Sequence, residues 1–478
     1  MKLSKDLRSR QEVRDFVEAA ASAHRTLAQM EQEQIDAIVQ AMAHAGSAHA
    51  KELAELACEE TGFGNVPDKT FKNNFASNTL LEAIKDLRTV GILKEDDEKR
   101  VWDVAVSVGV VAGIVPSTNP TSTVIYKAMI SLKAGNAIVF SPHPGAKNCT
   151  VRAAQIMAQA AEAAGCPKGA ISCITEPTMD AVNELMKHPQ VRLILATGGS
   201  SMVRAAYSSG TPAIGVGAGN GPAYLHKSCD IRQAVENIIR SKTFDHGTVC
   251  ASEQSVILEQ ATAKQAEEEL KKQGGCILSE QDSKKLSAVL FRPNGTMNPK
   301  VVGKSAEQIA RMVGIHAPGA KVLLARETGV GTANPYSMEK LCPVLGLYTV
   351  KDEEEALKLA CKILEHEGSG HTFVLHTRDE QVVRRFIRKV PVSRFLVNTP
   401  AALGGIGAST GLFPALTLGC GAVGGSSSSN NIGPMDLINI RRVAWGHKPK
   451  ENAHTKIEAN DELLERLTQR LLEKIYKE

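Results

Sequence analysis

The feature that most constrains the fold is a regular alternation of short apolar runs with helix-forming segments. From residue 109 to 216, the apolar runs are VVAGIVP, AGNAIVF, AISCIT and VRLILAT, and charged or alanine-rich segments separate them. Short continuous apolar runs are typical of buried parallel strands. The alternation therefore predicts right-handed crossovers in a doubly wound sheet. After Pro222 the pattern restarts, which predicts an α/β chain with two Rossmann-like parallel-sheet domains.

Length and composition exclude several other classes of protein. The chain has 478 residues, of which 43% are hydrophobic and 4% aromatic, as in globular enzymes with more than one domain. A net charge of +4 gives no reason to expect nucleic acid as a partner. No run approaches the roughly 20 apolar residues of a membrane span, and the charged N-terminus is unlike a signal peptide. Ten cysteines without a CxxC pair favour a soluble protein of the reducing cytoplasm.

One cysteine stands in a setting suited to chemistry. Cys250 lies among small residues in SKTFDHGTVCASEQS, with Gly247 and His246 shortly before it. Small neighbours leave the sulfur accessible, and the thiolate is a strong nucleophile. His246 is a candidate for lowering the thiol pKa or accepting a proton. The alternatives are a buried structural cysteine and a loop histidine that is solvated or bonded elsewhere.

Three loops follow predicted strands and should emerge at the same edge of the first sheet, where ligands of such sheets bind. They read VPSTNPTS, SPHPGAKN and ATGGSSMV. Thr197 to Ser200 precede a helix whose first N–H groups would attract a pyrophosphate, although a tight turn needs no ligand. GVGAGNGP lacks a following helix and is not a Rossmann fingerprint. His366 and His371 lack a third ligand, so no metal is predicted.

Taken together and in order, these loops resemble the aldehyde dehydrogenase superfamily, and within it the branch that acylates coenzyme A. The resemblance extends over about residues 10–445. This branch includes the acetaldehyde-forming half of bifunctional aldehyde–alcohol dehydrogenases and the aldehyde dehydrogenases of bacterial microcompartments. The matching motifs are VPSTNPTST, SPHPGAKN, GAGNGP, SKTFDHGTVCASEQS, GHTFVLHT and TLGCGAVGG.

The resemblance implies a role for each of these motifs. Cys250 would attack the aldehyde carbonyl, and hydride would pass to NAD, which leaves a thioester on the enzyme. Asn119 would bind the oxyanion together with the Cys250 N–H, although an Asx-turn before Pro120 is the alternative. Glu339 would bind the nicotinamide ribose, unless it is a surface glutamate. The implied cofactor-binding residues are Ser117, Thr118, Ser141, Pro142, His143, Thr197, Gly198, Gly199, Ser200, Gly217, Ala218 and Glu339.

Two departures from the hydrolytic members of the family matter. Val216 aligns with their glutamate base, so a thiol of coenzyme A, rather than water, should release the acyl group. Ser141 and Pro144 replace their adenosine-binding lysine and glutamate, so His143 and backbone groups would remake those contacts, with NAD favoured over NADP. We expect acetaldehyde or propionaldehyde as the substrate. A hydrolytic aldehyde dehydrogenase, and a Cys–His hydrolase or inactive scaffold, remain as alternatives.

The resemblance also divides the chain. It implies an NAD-binding domain, a catalytic domain and an arm that builds a homodimer or tetramer. Residues 61–98 read as helical, 447–460 as a linker, and 461–478 as an amphipathic helix. That helix resembles encapsulation tags that dock on microcompartment shell proteins; packing on its own subunit or a neighbour, and weak membrane binding, are the alternatives. The predicted boundaries are 1–98 and 109–225 (NAD-binding), 226–417 (catalytic), and 99–108 and 418–446 (arm).

Overall fold

A computed structural model describes residues 4–293, 295–446 and 461–477. The strands are β1 (Gly91–Asp96), β2 (Val101–Ser107), β3 (Val110–Ile114), β4 (Ala137–Ser141), β5 (Ile171–Cys173), β6 (Val191–Thr197), β7 (Ala213–Val216), β8 (Gly221–Leu225), β9 (Glu253–Glu259), β10 (Gly275–Ile277), β11 (Val322–Arg326), β12 (Val344–Val350), β13 (Gly370–His376), β14 (Val392–Val397) and β15 (Ile438–Ala444).

Helices occupy most of the segments between the strands. They are α1 (Lys5–Leu27), α2 (Gln32–Ala48), α3 (Ala50–Thr61), α4 (Val66–Asn74), α5 (Leu80–Ile84), α6 (Pro120–Lys133), α7 (Lys147–Ala163), α8 (Met179–Lys187), α9 (Ser200–Tyr207), α10 (Ile231–Thr243), α11 (Gln260–Lys272), α12 (Glu280–Leu290), α13 (Ala306–Met312), α14 (Glu353–His366), α15 (Glu380–Phe386), α16 (Ala401–Gly405) and α17 (Asp461–Ile475). Many begin at a capping side chain; Asp230, for example, accepts the N–H of Gln233 at the start of α10.

The first sheet has the strand order β5-β4-β3-β6-β7, and every pair in it is parallel. All residues of β3 and β4 are buried, which explains why these strands read as apolar runs. The whole of α6 is also buried. Buried Lys127 of α6 donates to the carbonyls of Ile114 and Leu195, at 2.7 and 2.8 Å, near the ends of β3 and β6. The loops after these strands therefore emerge side by side, as predicted.

The second sheet has the order β10-β11-β12-β9-β8-β13-β14 and is also parallel throughout. At the first residues of β8 and β9, Gly221 pairs with Glu253, so the amino ends of these strands lie together. Only residues 217–220 connect β7 of the first sheet to β8 of the second. The carboxyl edge of one sheet therefore leads directly to the amino edge of the other. The two parallel sheets confirm the predicted α/β class.

A third sheet, of order β1-β2-β15, belongs to a separate unit that includes residues 92–105 and 440–446. Trp102 and Trp445 meet edge to face with ring centroids 4.8 Å apart. The predicted helical structure up to residue 98 is wrong here, because Gly91 takes a φ of +75° and a strand follows it. The strands of the arm therefore begin before the predicted residue 99, and its last strand begins at Ile438 rather than near 418.

The remaining sequence predictions concern the tail and what the chain does not contain. The predicted linker, residues 447–460, lies outside the described residues. Helix α17 spans Asp461–Ile475, and all its residues are exposed. Within the described ranges, no helix is both long and apolar enough to cross a membrane. The same residues contain no cluster of three or more His, Cys, Asp or Glu side chains suited to a metal ion.

Candidate active site

Cys250 lies in the loop between α10 and β9, where the two parallel sheets meet. Its side chain is half-buried. A Cβ atom added to Gly219 would lie 1.9 Å from the Cys250 carbonyl oxygen, so this position of the 217–220 loop has room for glycine only. The loop that leaves the first sheet therefore passes directly against the backbone of the cysteine.

The surroundings of the thiol keep it protonated. Burial raises the pKa of Cys250 to about 12, the Glu339 carboxyl raises it further, and Arg394 opposes the shift. Burial and the nearby Glu367 raise the pKa of Glu339 itself to about 8. Glu339 accepts the N–H of Gly219 at 2.9 Å, which anchors the 217–220 loop. The predicted nucleophile is thus present in a resting, neutral form.

Asn119 follows β3 and extends its amide to the cysteine loop. Its Nδ2 donates to the Thr248 carbonyl at 3.3 Å and to Thr118 Oγ1 at 3.2 Å, and its Oδ1 accepts a hydrogen bond from Lys72. Asn119 stands at the N-cap of α6, but its side chain makes no capping bond there. The Asx-turn alternative is therefore not what the structure shows, and the amide is directed to the loop that carries Cys250.

The sequence analysis considered His371, the second residue of β13, only as a metal ligand and gave it no catalytic role. A Cβ on Gly219 would lie 3.3 Å from Cε1 of this imidazole, so His371 and the Cys250 carbonyl flank the same glycine. The ring is buried, its Nδ1 bonds Thr372 Oγ1 at 2.9 Å, and its Nε2 has no partner. Burial lowers the pKa of His371 to about 3. It is thus a neutral imidazole with a free nitrogen, and its only sequence signal was the GHTFVLHT motif.

His246 is oriented differently from what its sequence position suggested. It has a φ of +52°, and its Nδ1 is 3.0 Å from the carbonyl oxygen of Gly303. The ring lines a cavity of about 970 Å³ together with residues of α10 and α11, such as Arg240 and Lys272. Cys250 is not among the residues lining that cavity. The structure therefore offers His371, rather than His246, as the imidazole beside the cysteine loop.

Val216, the last residue of β7, is buried in the apolar cluster against which Cys250 packs. This is the position at which the sequence comparison placed the glutamate base of hydrolytic enzymes. A valine cannot accept a proton from water. The first sheet therefore presents a buried apolar side chain, and no base, at this position.

Several predicted cofactor-binding residues fit a nucleotide. Ser141 Oγ and Thr197 Oγ1, at the ends of β4 and β6, are buried hydroxyl oxygens without a hydrogen-bond partner. A Cβ on Gly199, just before α9, would meet nothing within 4 Å, so a phosphate can approach the helix start. A cavity of about 630 Å³ beside it is lined by Ser200, Gly217 and Ala218, and by Arg204, Tyr207 and Glu367 among others.

The other predicted cofactor residues have less distinctive surroundings. Pro142 is buried, and His143 is exposed, with its Nδ1 accepting the N–H of Gly145 at 3.0 Å. The Thr118 carbonyl accepts a hydrogen bond from Lys69 at 3.0 Å. Ser117 and Gly198 are partly exposed beside these loops. This edge of the first sheet therefore holds all the predicted cofactor residues that follow β3, β4 and β6.

Comparison with known proteins gives consistent matches. The model of the Aldehyde dehydrogenase family matches residues 5–411. The chain is 46% identical over 452 residues, 92% of its length, to the bifunctional aldehyde-alcohol dehydrogenase of Escherichia coli strain K12, of which that alignment covers 51%. It thus spans about half the length of the curated relatives it matches.

Two solved structures share the fold. An acetylating aldehyde dehydrogenase from Geobacillus thermoglucosidasius is 52% identical with a TM-score of 0.92, covering 94% of this chain and 99% of its own. A propionaldehyde dehydrogenase from the fucose utilisation bacterial microcompartment of Clostridium phytofermentans is 28% identical with a TM-score of 0.82, covering 91% and 97%. The resemblance stated from the sequence is thereby confirmed.

The raised thiol pKa gives a prediction for the protein without ligands. Because only the thiolate reacts, alkylation of Cys250 by iodoacetamide should accelerate about tenfold per pH unit from pH 7 to 10 without reaching a plateau. In Glu339→Gln, which removes a negative charge, the Cys250 pKa should fall and the reaction at pH 9 should be faster. Peptide mass spectrometry of Cys250 measures both rates. A plateau near neutral pH in the native protein would show that the thiol is not held protonated.

Proposed function

Because the chain belongs to the aldehyde dehydrogenase family, we propose that it oxidises a short-chain aldehyde at Cys250 with NAD and transfers the acyl group to coenzyme A. One observation carries the choice of acceptor: buried Val216 stands at the position of the hydrolytic enzymes' glutamate base, while a neutral imidazole, His371, lies against Gly219 together with the Cys250 carbonyl. Acetaldehyde and propionaldehyde are the proposed substrates.

The first step is addition of the Cys250 thiol across the aldehyde carbonyl: the sulfur bonds to the carbon, and the thiol proton is lost to solvent and regained by the oxygen when the thiohemiacetal is neutral. That hydroxyl proton returns to solvent when the hydride leaves. As the C–S bond forms, the carbonyl oxygen becomes negative. Asn119 Nδ2, which is already directed at the cysteine loop, and the Cys250 N–H would donate to that oxygen. Loss of one such donor typically raises the barrier by about 3 kcal/mol. NAD, when bound, accepts the hydride from the resulting thiohemiacetal carbon, and Cys250 then carries a thioester.

The second step is transfer of the acyl group to a thiol. We assign the unpartnered Nε2 of His371 as the acceptor of the coenzyme A proton. Burial lowers the pKa of this imidazole, so it is a weak base in the empty site. The coenzyme A sulfur then attacks the thioester carbon, and Cys250 leaves as the thiolate. A thiolate is a far better nucleophile than unactivated water, and Val216 offers water no base. The proposed product is therefore acyl-CoA rather than the free acid, and the reaction is reversible.

NAD and coenzyme A are the proposed cofactors, and Ser141, Thr197 and Gly199 support a nucleotide at the carboxyl edge of the first sheet. Glu339 and Gly217, beside which a Cβ atom would meet nothing within 4 Å, would lie towards its nicotinamide end. We keep NAD as the preferred nucleotide because the loop SPHP carries no lysine or arginine. The third sheet supports assembly into a homodimer or tetramer through the arm.

The direct test follows absorbance of NADH with acetaldehyde and propionaldehyde. We expect sustained turnover only when coenzyme A is present, and none in Cys250→Ala. Sustained turnover without coenzyme A would identify a hydrolytic enzyme. No NADH under any condition would favour a hydrolase or scaffold, and an active Cys250→Ala would refute the proposed nucleophile.

Replacing His371 should separate the two half-reactions. In His371→Gln, a burst of NADH equal to the number of sites should remain, because acylation does not need the proton acceptor for coenzyme A. The following turnover should slow by about 10²–10⁴-fold, the usual contribution of a general base. His376→Gln is the matched control, since His376 is equally buried on the same strand and its pKa is likewise lowered by burial. Equal effects of both substitutions would contradict the role of His371.

We further propose that α17 docks on a microcompartment shell protein. Its apolar side chains are between 49% and 67% exposed, and they share one side of the helix. Glu465, Arg466 and Arg470 give the other side mixed charge, which does not favour an anionic membrane. The microcompartment propionaldehyde dehydrogenase of similar fold supports this setting. The apolar set comprises Leu463, Leu464, Leu467, Leu471, Leu472 and Ile475.

Deleting residues 450–478 should leave NADH formation unchanged and abolish co-sedimentation with purified microcompartment shells. A point variant tests the apolar side itself: Leu471→Glu should release the enzyme from shells, whereas Arg470→Glu on the charged side should not. Sedimentation followed by activity assay measures both fractions. Shell association that survives the deletion would refute docking through the tail.

A further inference from the structure

Two lysines of α4 pair with a single aspartate, Asp245, which belongs to the cysteine loop SKTFDHGTVCASEQS. Lys69 and Lys72 lie three residues apart, hence on the same side of the helix, and their side chains are 2% and 1% exposed. Both donate to Oδ2 of Asp245, from 3.0 Å in the case of Lys69. We call Lys69, Lys72 and Asp245 the lysine–aspartate cluster. Two ammonium groups thus share one buried carboxylate.

Further contacts fix the carboxylate from other sides. Asp245 Oδ1 accepts the N–H of Asn65 at 3.0 Å, and Oδ2 accepts the Thr248 hydroxyl at 2.6 Å. A Cβ on Gly64, where φ is +70°, would lie 1.8 Å from Oδ1, so the chain uses glycine where the carboxylate needs space. Asp245 itself has a left-handed φ of +46°, and its N–H donates to Asp68 at 2.7 Å. The position of Asp245 is therefore strongly determined.

Each lysine makes one more bond, to neighbouring residues of the loop after β3. Lys69 donates to the Thr118 carbonyl at 3.0 Å, and Lys72 donates to Oδ1 of Asn119. An ammonium group can only donate, so the amide of Asn119 must present its oxygen to Lys72. Its NH2 group then faces the other way, where the Thr248 carbonyl of the cysteine loop accepts from it at 3.3 Å.

We propose that Lys72 is a positioning residue that fixes the Asn119 amide with Nδ2 toward the cysteine loop, and that Asp245 holds Lys72 in place for this purpose. This rests on the proposed function, in which Asn119 Nδ2 donates to the oxygen of the reacting aldehyde. Thr118 Oγ1 can serve as acceptor or donor, so it does not discriminate between the two orientations of the amide. Lys72 can only donate and the Thr248 carbonyl can only accept, so these two groups do discriminate between the orientations.

The charges of the cluster are consistent with this role. Burial alone would raise the pKa of the Asp245 carboxyl, but Lys72 and Lys69 outweigh it and hold that pKa below its usual value. Burial lowers the pKa of Lys72 to about 8, against the attraction of Asp245. A buried ion pair is weak evidence for stability, because desolvation offsets the attraction between the charges. Retaining a second buried lysine here is better explained by the bond it makes to Asn119.

A double-mutant cycle tests the coupling. The rate of NADH formation in a single turnover with acetaldehyde should fall by at least about tenfold in Lys72→Met, because an oxyanion donor is misdirected. In the Asn119→Ala background, the same substitution should cost less than about twofold, since its target is gone. Lys69→Met is the matched control: it removes a cation from the same carboxylate without touching Asn119 and should slow the step much less. Equal losses from Lys72→Met in both backgrounds would overturn the proposal.

A second readout does not depend on turnover. In a crystal structure of Lys72→Met, the Asn119 Nδ2 atom should no longer lie within hydrogen-bond distance of the Thr248 carbonyl. Cys250 alkylation should stay within about twofold of the native rate, because no oxyanion forms in that reaction. An unchanged Asn119 amide, or an alkylation rate that falls in parallel with NADH formation, would contradict positioning.

A second variant covers the case in which Lys72→Met does not fold. Lys72→Arg keeps a charged donor and should retain most of the native single-turnover rate. A loss as large as in Asn119→Ala, with the amide unmoved, would refute the role. If the native protein forms no NADH, the proposed function fails, whereas the crystal structure still tests the orientation of Asn119.

Discussion

The site depends on one close backbone contact, between Gly219 and the carbonyl of Cys250. It arises because β8 and β9 pair in register at Gly221 and Glu253, which brings the loops before both strands to the same place. The loop before β8 comes from the carboxyl edge of the first sheet, where a nucleotide is expected. The loop before β9 carries Cys250, the proposed nucleophile. Parallel pairing in the second sheet thereby aligns two loops from different parts of the chain.

Hydrogen bonds from three other parts of the chain fix the loops around this contact. Glu339 fixes the N–H of Gly219, Arg394 donates to the Gly419 carbonyl at 2.6 Å in the TLGCGAVGG loop, and the lysine–aspartate cluster supports the cysteine loop from α4. None of these bonds joins neighbours in sequence: Lys69 and Asp245 are separated by 176 residues. A nucleophile on a loop is thus held by side chains that protrude from helices and strands, which is how a mobile segment gains a fixed geometry.

The sequence predicted what local patterns encode, and little of what distant contacts create. Buried strands such as β3 and β4 were recognisable because both their faces are covered, so their apolar runs are continuous. Cys250 and Asn119 were proposed as site residues because their motifs are short and specific, and the structure brings the Asn119 amide to the Thr248 carbonyl of the cysteine loop. β1 was missed because its charged residues follow a helical segment, and strand pairing supplies the reason for it to extend. Lys69 and Lys72 were not singled out, and His371 was considered only as a metal ligand, because nothing in their spacing shows which side chains or loops they will contact.

The high pKa of Cys250 also affects how readily its sulfur is oxidised. At pH 7, a thiol of pKa about 12 is ionised in only about one molecule in 10⁵. Oxidation of cysteine to sulfenic and then irreversible sulfinic acid proceeds through the thiolate. The rate at which peroxide oxidises this thiol should therefore be low. A sulfur that burial holds protonated in the empty site is therefore less exposed to oxidative damage than a free thiolate would be.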